Sequence, residues 1–107
     1  MPAKPAETIT AYKAFREDWT CRGYQYEVGK TFEHNGQVQM YWSGFHACEN
    51  PFDVLSYYEL VGSRFAEVEM AAVSSEKHND SKRVSGKLTV KAELTMSDFI
   101  GKCLVGS

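Results

Sequence analysis

The chain has 107 residues with a formal net charge of -2, which fits one domain and excludes the basic stripe that non-specific nucleic-acid binding requires. Hydrophobic residues at 43% and charged residues at 24% match an ordinary globular chain, so disorder throughout is excluded. No run approaches the roughly 18 apolar residues of a membrane span.

Three cysteines (Cys21, Cys48, Cys103), an odd number without secretory spacing or a signal peptide, point to a reducing compartment and a cytoplasmic, soluble chain. Aromatics at 13% favour strands and a ring-filled core.

Residues 1–7 read as a loose Pro- and Ala-rich tail, and the domain is expected over 8–105. Residues 9–15 alternate as a first strand, with Ile9, Ala11, Lys13 and Phe15 on one face and Tyr12 and Ala14 on the other. Residues 18–22 read as a connection. Residues 23–34 alternate again, with Tyr24, Tyr26 and Val28 sharing a face, and Gly29-Lys30 marks a bulge or turn. Asn35-Gly36 is a two-residue hairpin signal, because both residues tolerate positive φ, and 38–42 is the return strand.

Residues 45–48 continue as a short extended piece carrying His46 and Cys48. Positions two apart on a strand share a face, so imidazole and thiol would stand side by side. Asn50 as N-cap and Pro51 in the first turn predict a short helix over 51–58 that docks Phe52, Leu55 and Tyr58, or Val54, Tyr57 and Tyr58. Residues 64–72 are a strand with Phe65, Val68 and Met70 in the core, and 74–81 are a polar loop. Residues 84–94 are the cleanest strand, with Leu88, Val90, Ala92 and Leu94 alternating against Lys87, Thr89, Lys91 and Glu93. Ser97-Asp98 would cap a final helix over 99–105. The expected fold class is α+β: a mostly antiparallel sheet, one central short helix and one C-terminal short helix.

TCRGYQYEVGKTFEHNG (20–36) and SGFHACENPFDVLSYY (43–58) closely resemble a phage and prophage family of unknown function. The likeness continues through 63–69 and 80–94. The resemblance implies a mobile-element origin and a site of action in the host cytoplasm. It also implies a non-enzymatic role: binding and modulating a host or defence protein, in the manner of anti-CRISPR proteins. It brings no activity with it.

Four chemistries compete for the candidate residues. Cys21, His46 and Cys48 are zinc-compatible ligands, which His34 or Cys103 would complete; the plain alternative is a buried cysteine pair and no cofactor. A Cys48–His46 couple would be a thiol nucleophile and its base. Residues 44–58 are similar to the Gly-x-(His/Tyr)-Phe…Pro…Ala…Tyr segment of ADP-ribosyltransferases, where a tyrosine covers nicotinamide. That resemblance implies an NAD-using enzyme with Glu67 and Glu69 as its Glu-x-Glu and Arg16 or Arg22 as its arginine, although no Ser-Thr-Ser tripeptide is present. Finally, Tyr41, Trp42, Tyr57 and Tyr58 beside Glu49 and Asp53 suit an interface for a partner with a basic surface. An edge strand would also allow a homodimer. No nucleic-acid or membrane partner is expected.

Overall fold

A computed structural model describes residues 7–34, 44–75 and 80–105. Among the described residues the strands are β1 (Thr8–Phe15), β2 (Thr20–Cys21), β3 (Tyr24–Gln25), β4 (Thr31–Glu33), β5 (Phe45–Cys48), β6 (Arg64–Val73) and β7 (Lys82–Leu94). A 3₁₀ helix (Pro51–Ser56) precedes β6, and α1 (Met96–Val105) follows β7. The fold is mainly antiparallel sheet with two small helices, as the α+β expectation had it.

The large sheet runs β4-β7-β5-β1-β6, with β6 also pairing β7. The pairings therefore form a ring, β1–β6–β7–β5–β1. Its β1–β6 seam is long, from Thr8 opposite Ala71 to Phe15 opposite Arg64. Its β1–β5 seam is registered at one pair, Tyr12 opposite Cys48. β4 extends the β5 side of β7, with Phe32 opposite Leu88.

Alternation along the strands sorts side chains into two cores. One holds Ala11, Phe15, Tyr26, Phe45, Ala47, Val68, Met70, Leu88 and Val90. The other holds Ala14, Cys48, Val54, Phe65 and Phe99, and seats both helices on the sheet. Phe65 and Phe99 stack with centroids 4.0 Å apart and planes 18° from parallel, which locks α1 down.

Local chemistry corrects several sequence expectations. Residues 23–34 are not one strand. Arg22 and Gly23 both have positive φ, 54° and 78°, and turn β2 tightly into β3 as a type I′ hairpin does. Gly29, at φ 89°, makes the break expected before β4.

Asn50 does cap the 3₁₀ helix, its Oδ1 accepting from the Phe52 amide at 3.0 Å. The threefold repeat of that helix turns Pro51 and Val54 inward. Phe52, expected to dock, is 62% exposed. Leu55 and Tyr58 do pack against the core.

α1 begins earlier than expected. Thr95, not Ser97-Asp98, caps it: the Asp98 amide donates to Thr95 Oγ1 at 3.0 Å and the Thr95 amide to Asp98 Oδ2 at 3.3 Å. On β7 the alternation fails at both ends. Val84 and Ser85 are both fully buried, and Ala92 is exposed. The Asn35-Gly36 hairpin and its return strand, and the 1–6 portion of the tail, lie outside the described residues.

Candidate functional site: a cationic cavity around Lys13

The chemistry of the molecule centres on Lys13. Strand alternation puts it on the same face as Ala11 and Phe15, and its residue is only 6% exposed. β1 and β5 share a single registered pair at Tyr12 and Cys48, and the Lys13 side chain fills the space beside it. Its ammonium donates to the main-chain oxygen of His46 at 2.6 Å. It stands 5.5 Å from the Tyr26 ring centroid and 5.9 Å from that of Phe15, within reach of cation–π attraction. Burial lowers its pKa below the ordinary lysine value. The Cys21 and Cys48 sulfurs work the other way, and the Arg22 guanidinium adds to the lowering.

Two cavities meet at this lysine. One, of about 160 Å³, is lined by Tyr12, Lys13, Cys21, Arg22, His46, Cys48, Tyr57, Tyr58 and Lys82 among others. The second, of about 270 Å³, shares Lys13, Cys21, Arg22 and His46 and adds Tyr24, Tyr26, His34 and Phe45. Neither lining includes an aspartate or glutamate among the described residues. Lys13, Arg22 and Lys82 are the charged side chains of the linings, and the Asp80 and Asp53 carboxylates stand behind Tyr57 and Cys48.

The β2–β3 hairpin delivers Arg22. Its φ of 54° is a left-handed conformation that costs a non-glycine residue about 1–2 kcal/mol. Asn or Gly would sit there more easily. A strained arginine bordering a cavity is the kind of departure that marks sites.

The thiols take different positions. Cys21 Sγ and Tyr58 Oη are 3.1 Å apart, tying the hairpin to the end of the 3₁₀ helix. Tyr58 is pushed up to about 12, by burial first and then by its contact with Cys21. Cys48 is also pushed up to about 12, by burial and then by the nearby Asp80 and Asp53 carboxylates. At neutral pH it is a thiol, a poor nucleophile.

Cys21, His46 and Cys48 thus border one cavity but are not gathered into a ligand set. Among the described residues no group of three or more His, Cys, Asp and Glu side chains is placed to hold a metal ion. The other two residues offered to complete such a set stand elsewhere in the contacts: His34 lies edge-on to Phe45 with centroids 6.4 Å apart, and Cys103 packs in the α1 core.

The expected binding residues also divide. Tyr57 and Tyr58 line the smaller cavity. Tyr57 donates its hydroxyl to Asp80 Oδ2 at 2.7 Å, and Lys82 Nζ lies 4.6 Å from its ring centroid. The acids are engaged within the fold. Glu49 pairs with Arg83 at 3.2 Å, and Asp53 Oδ2 accepts from the Ser81 amide at 3.0 Å. Tyr41 and Trp42 lie outside the described residues. Glu67 and Glu69 line neither cavity; Glu67 faces Lys102 at 3.9 Å.

Sequence reasoning passed over Lys13 itself. The signal was there: a lysine between Ala11 and Phe15 on an otherwise apolar strand face is the pattern of a buried charge.

The molecule so defined is a small antiparallel-sheet domain with a cavity beside the β1–β5 seam that Lys13, Arg22 and Lys82 border. The family described as Domain of unknown function (DUF7666) matches residues 9–102, and the chain belongs to that family. No curated protein matches the chain, and no solved structure does. Among the described residues no helix is long and apolar enough to cross a membrane.

Proposed function

We propose that this protein acts by binding rather than by turnover, and that it receives an anionic group in the cavity around Lys13. The observation that carries the reading is the lining: Lys13, Arg22 and Lys82 with His46, and no carboxylate among the described residues. A concave site with apolar walls and a few convergent polar groups is the usual form of a ligand site. Low-dielectric walls strengthen the attraction of fixed cations for a bound anion.

Binding is favoured over catalysis because the couples that catalysis would use are not poised. The Cys48 thiol holds its proton to about 12, Cys21 is engaged by Tyr58, and Glu67 and Glu69 stand away from the cavities. The role implied by the family resemblance is kept in this form. As a small phage-encoded protein acting on a host or defence component, it would hold that component through an acidic group. The partner surface it fits is then acidic at the point of contact, since Glu49 and Asp53 are already satisfied within the fold.

An NMR titration of the isotope-labelled chain with acetate tests the reading. Amide shifts confined to the neighbours of Lys13, Arg22 and His46, saturating with acetate and not with a neutral amide of the same size, are expected. Shifts scattered over exposed lysines, or none at the cavity, would overturn it.

A further inference from the structure

We propose that the guest of this site is a small aromatic carboxylate: its carboxylate rests on the Lys13 ammonium and its ring lies among Tyr24, Tyr26 and Phe45. The inference rests on the anion reading of the same cavity and adds the chemical class of the guest.

Lys13 carries the carboxylate half. Buried charges are ordinarily paired. Lys13 is 6% exposed, and the described residues give it a main-chain oxygen, two rings and nearby sulfur, none of them negatively charged. The ion pairs among the described residues are made by Lys30, Arg64, Arg83, Lys87 and Lys102. The His46 oxygen and the two rings favour the ammonium form, which has three N–H donors. A buried ammonium in that company attracts an anion.

The ring half follows from where the two cavities meet. They share Lys13, Cys21, Arg22 and His46, so the charge sits at their common border. They differ in what lies beyond it. On the smaller side Tyr57 donates to Asp80, and the Asp80 and Asp53 carboxylates stand near Cys48, so an anion is opposed from behind that wall. The larger side adds Tyr24, Tyr26, Phe45 and His34. A guest with its charge at the border extends its body into the larger cavity.

That wall suits a ring. Tyr24 meets Phe45 with centroids 5.6 Å apart and planes at 87°, and Tyr26 meets Phe45 at 6.3 Å and 74°. Such edge-to-face groups present faces and edges that a further ring joins favourably. Tyr24 is 43% exposed, which leaves part of its ring open to the guest. Lys13 Nζ stands 5.5 Å from the Tyr26 centroid, a separation like that between the rings themselves. A carboxylate on that ammonium brings a ring joined to it by a short linkage against the same wall. A cavity of about 150 Å³ takes a benzene ring, and the larger cavity here is about 270 Å³.

The test is an NMR titration of the full chain with benzoate, acetate, benzamide and cyclohexanecarboxylate. Benzoate should saturate shifts around Lys13 and Tyr24 about tenfold more tightly than acetate. Cross-relaxation between benzoate protons and the Tyr24, Tyr26 and Phe45 rings should place it. Benzamide should fail to bind, and cyclohexanecarboxylate should bind more weakly than benzoate. Tyr24→Ala, at a half-exposed position, should shrink the preference for benzoate over acetate. The same chemistry is offered by a free acid and by a carboxyl-terminal aromatic residue of a partner chain. N-acetylphenylalanine set beside benzoate distinguishes them: the tighter binder names the source, and either result supports the site. Equal binding of benzoate and acetate, or of benzoate and cyclohexanecarboxylate, would overturn the aromatic guest and leave the anion cavity standing. Phenyl phosphate binding tighter than benzoate would overturn the carboxylate. Benzamide matching benzoate, or no shift at the cavity with any probe, would overturn both readings.

Discussion

Lys13 on β1 donates its ammonium to the main-chain oxygen of His46 on β5, 2.6 Å away, beside the one registered pair that joins those strands. A side chain there supplies a contact that a longer backbone ladder would otherwise make. The seam is thus bridged by a side chain where its backbone ladder is short. A buried cation among aromatic rings is a poor way to stabilise a sheet and a good way to build a site.

Replacing that cation with an apolar side chain of similar length should separate stability from binding. Lys13→Met removes the desolvation penalty and is expected to raise unfolding free energy by about 1–4 kcal/mol. The same variant should lose the acetate response. Urea denaturation and the NMR titration together check this; a destabilised variant would mean that the ammonium holds the seam.

Arg22 offers the same separation from the other side of the cavity. Asn tolerates the left-handed turn position better, so Arg22→Asn should stabilise the chain by about 1 kcal/mol. It should weaken acetate binding, since the guanidinium is gone. Thermal unfolding by circular dichroism gives the first number and titration the second.

Cys48 sets an alkaline limit. A thiol in the unfolded chain ionises near about 8.5. In the folded chain Cys48 holds its proton to about 12. The folded state therefore retains a proton that the unfolded state gives up between those values. The stability it contributes is fully present below the unfolded value and is lost as pH rises across the window. Denaturation midpoints taken in alkaline steps should fall less steeply in Cys48→Ala than in the parent. At neutral pH, iodoacetamide should label half-exposed Cys103 before buried Cys48.

The α1 docking centres on a ring stack. Phe99 is fully buried against Phe65, and Phe99→Ala is expected to cost about 3–5 kcal/mol. Hydrogen exchange should show the α1 amides losing protection first. The smaller cavity shares Ala14, Cys48 and Val54 with the core that holds Phe99, so its acetate response should weaken along with that protection.

Much of this fold was legible in the sequence because periodicity encodes burial. Ile9, Ala11, Lys13 and Phe15 alternate, and so do Ala66, Val68 and Met70, and Leu88 and Val90; a strand with one buried face has to be written that way. Asn50 and Pro51 announced a helix start through capping chemistry that is local in sequence. What failed was chemistry set by nonlocal geometry. Arg22 turns the chain at an unfavourable φ that no turn rule predicts. Phe52 faces water because the helix is 3₁₀, with three residues per turn, rather than α.

The candidate site shows the same division. The sequence by itself determined the inventory: a lysine on an apolar strand face, His46 and Cys48 two apart, adjacent tyrosines at 57 and 58. Only the tertiary structure decided how those groups are used, because ring closure of β1 against β5 is a contact between residues 33 apart in the case of Lys13 and His46. It put Tyr58 against Cys21 rather than leaving both thiols to His46, and it committed Glu49 and Asp53 to Arg83 and Ser81. Spacing along a strand fixes which side chains share a face. Which cations are left facing a cavity depends on the partners that distant segments bring, and those partners exist only once the chain is folded.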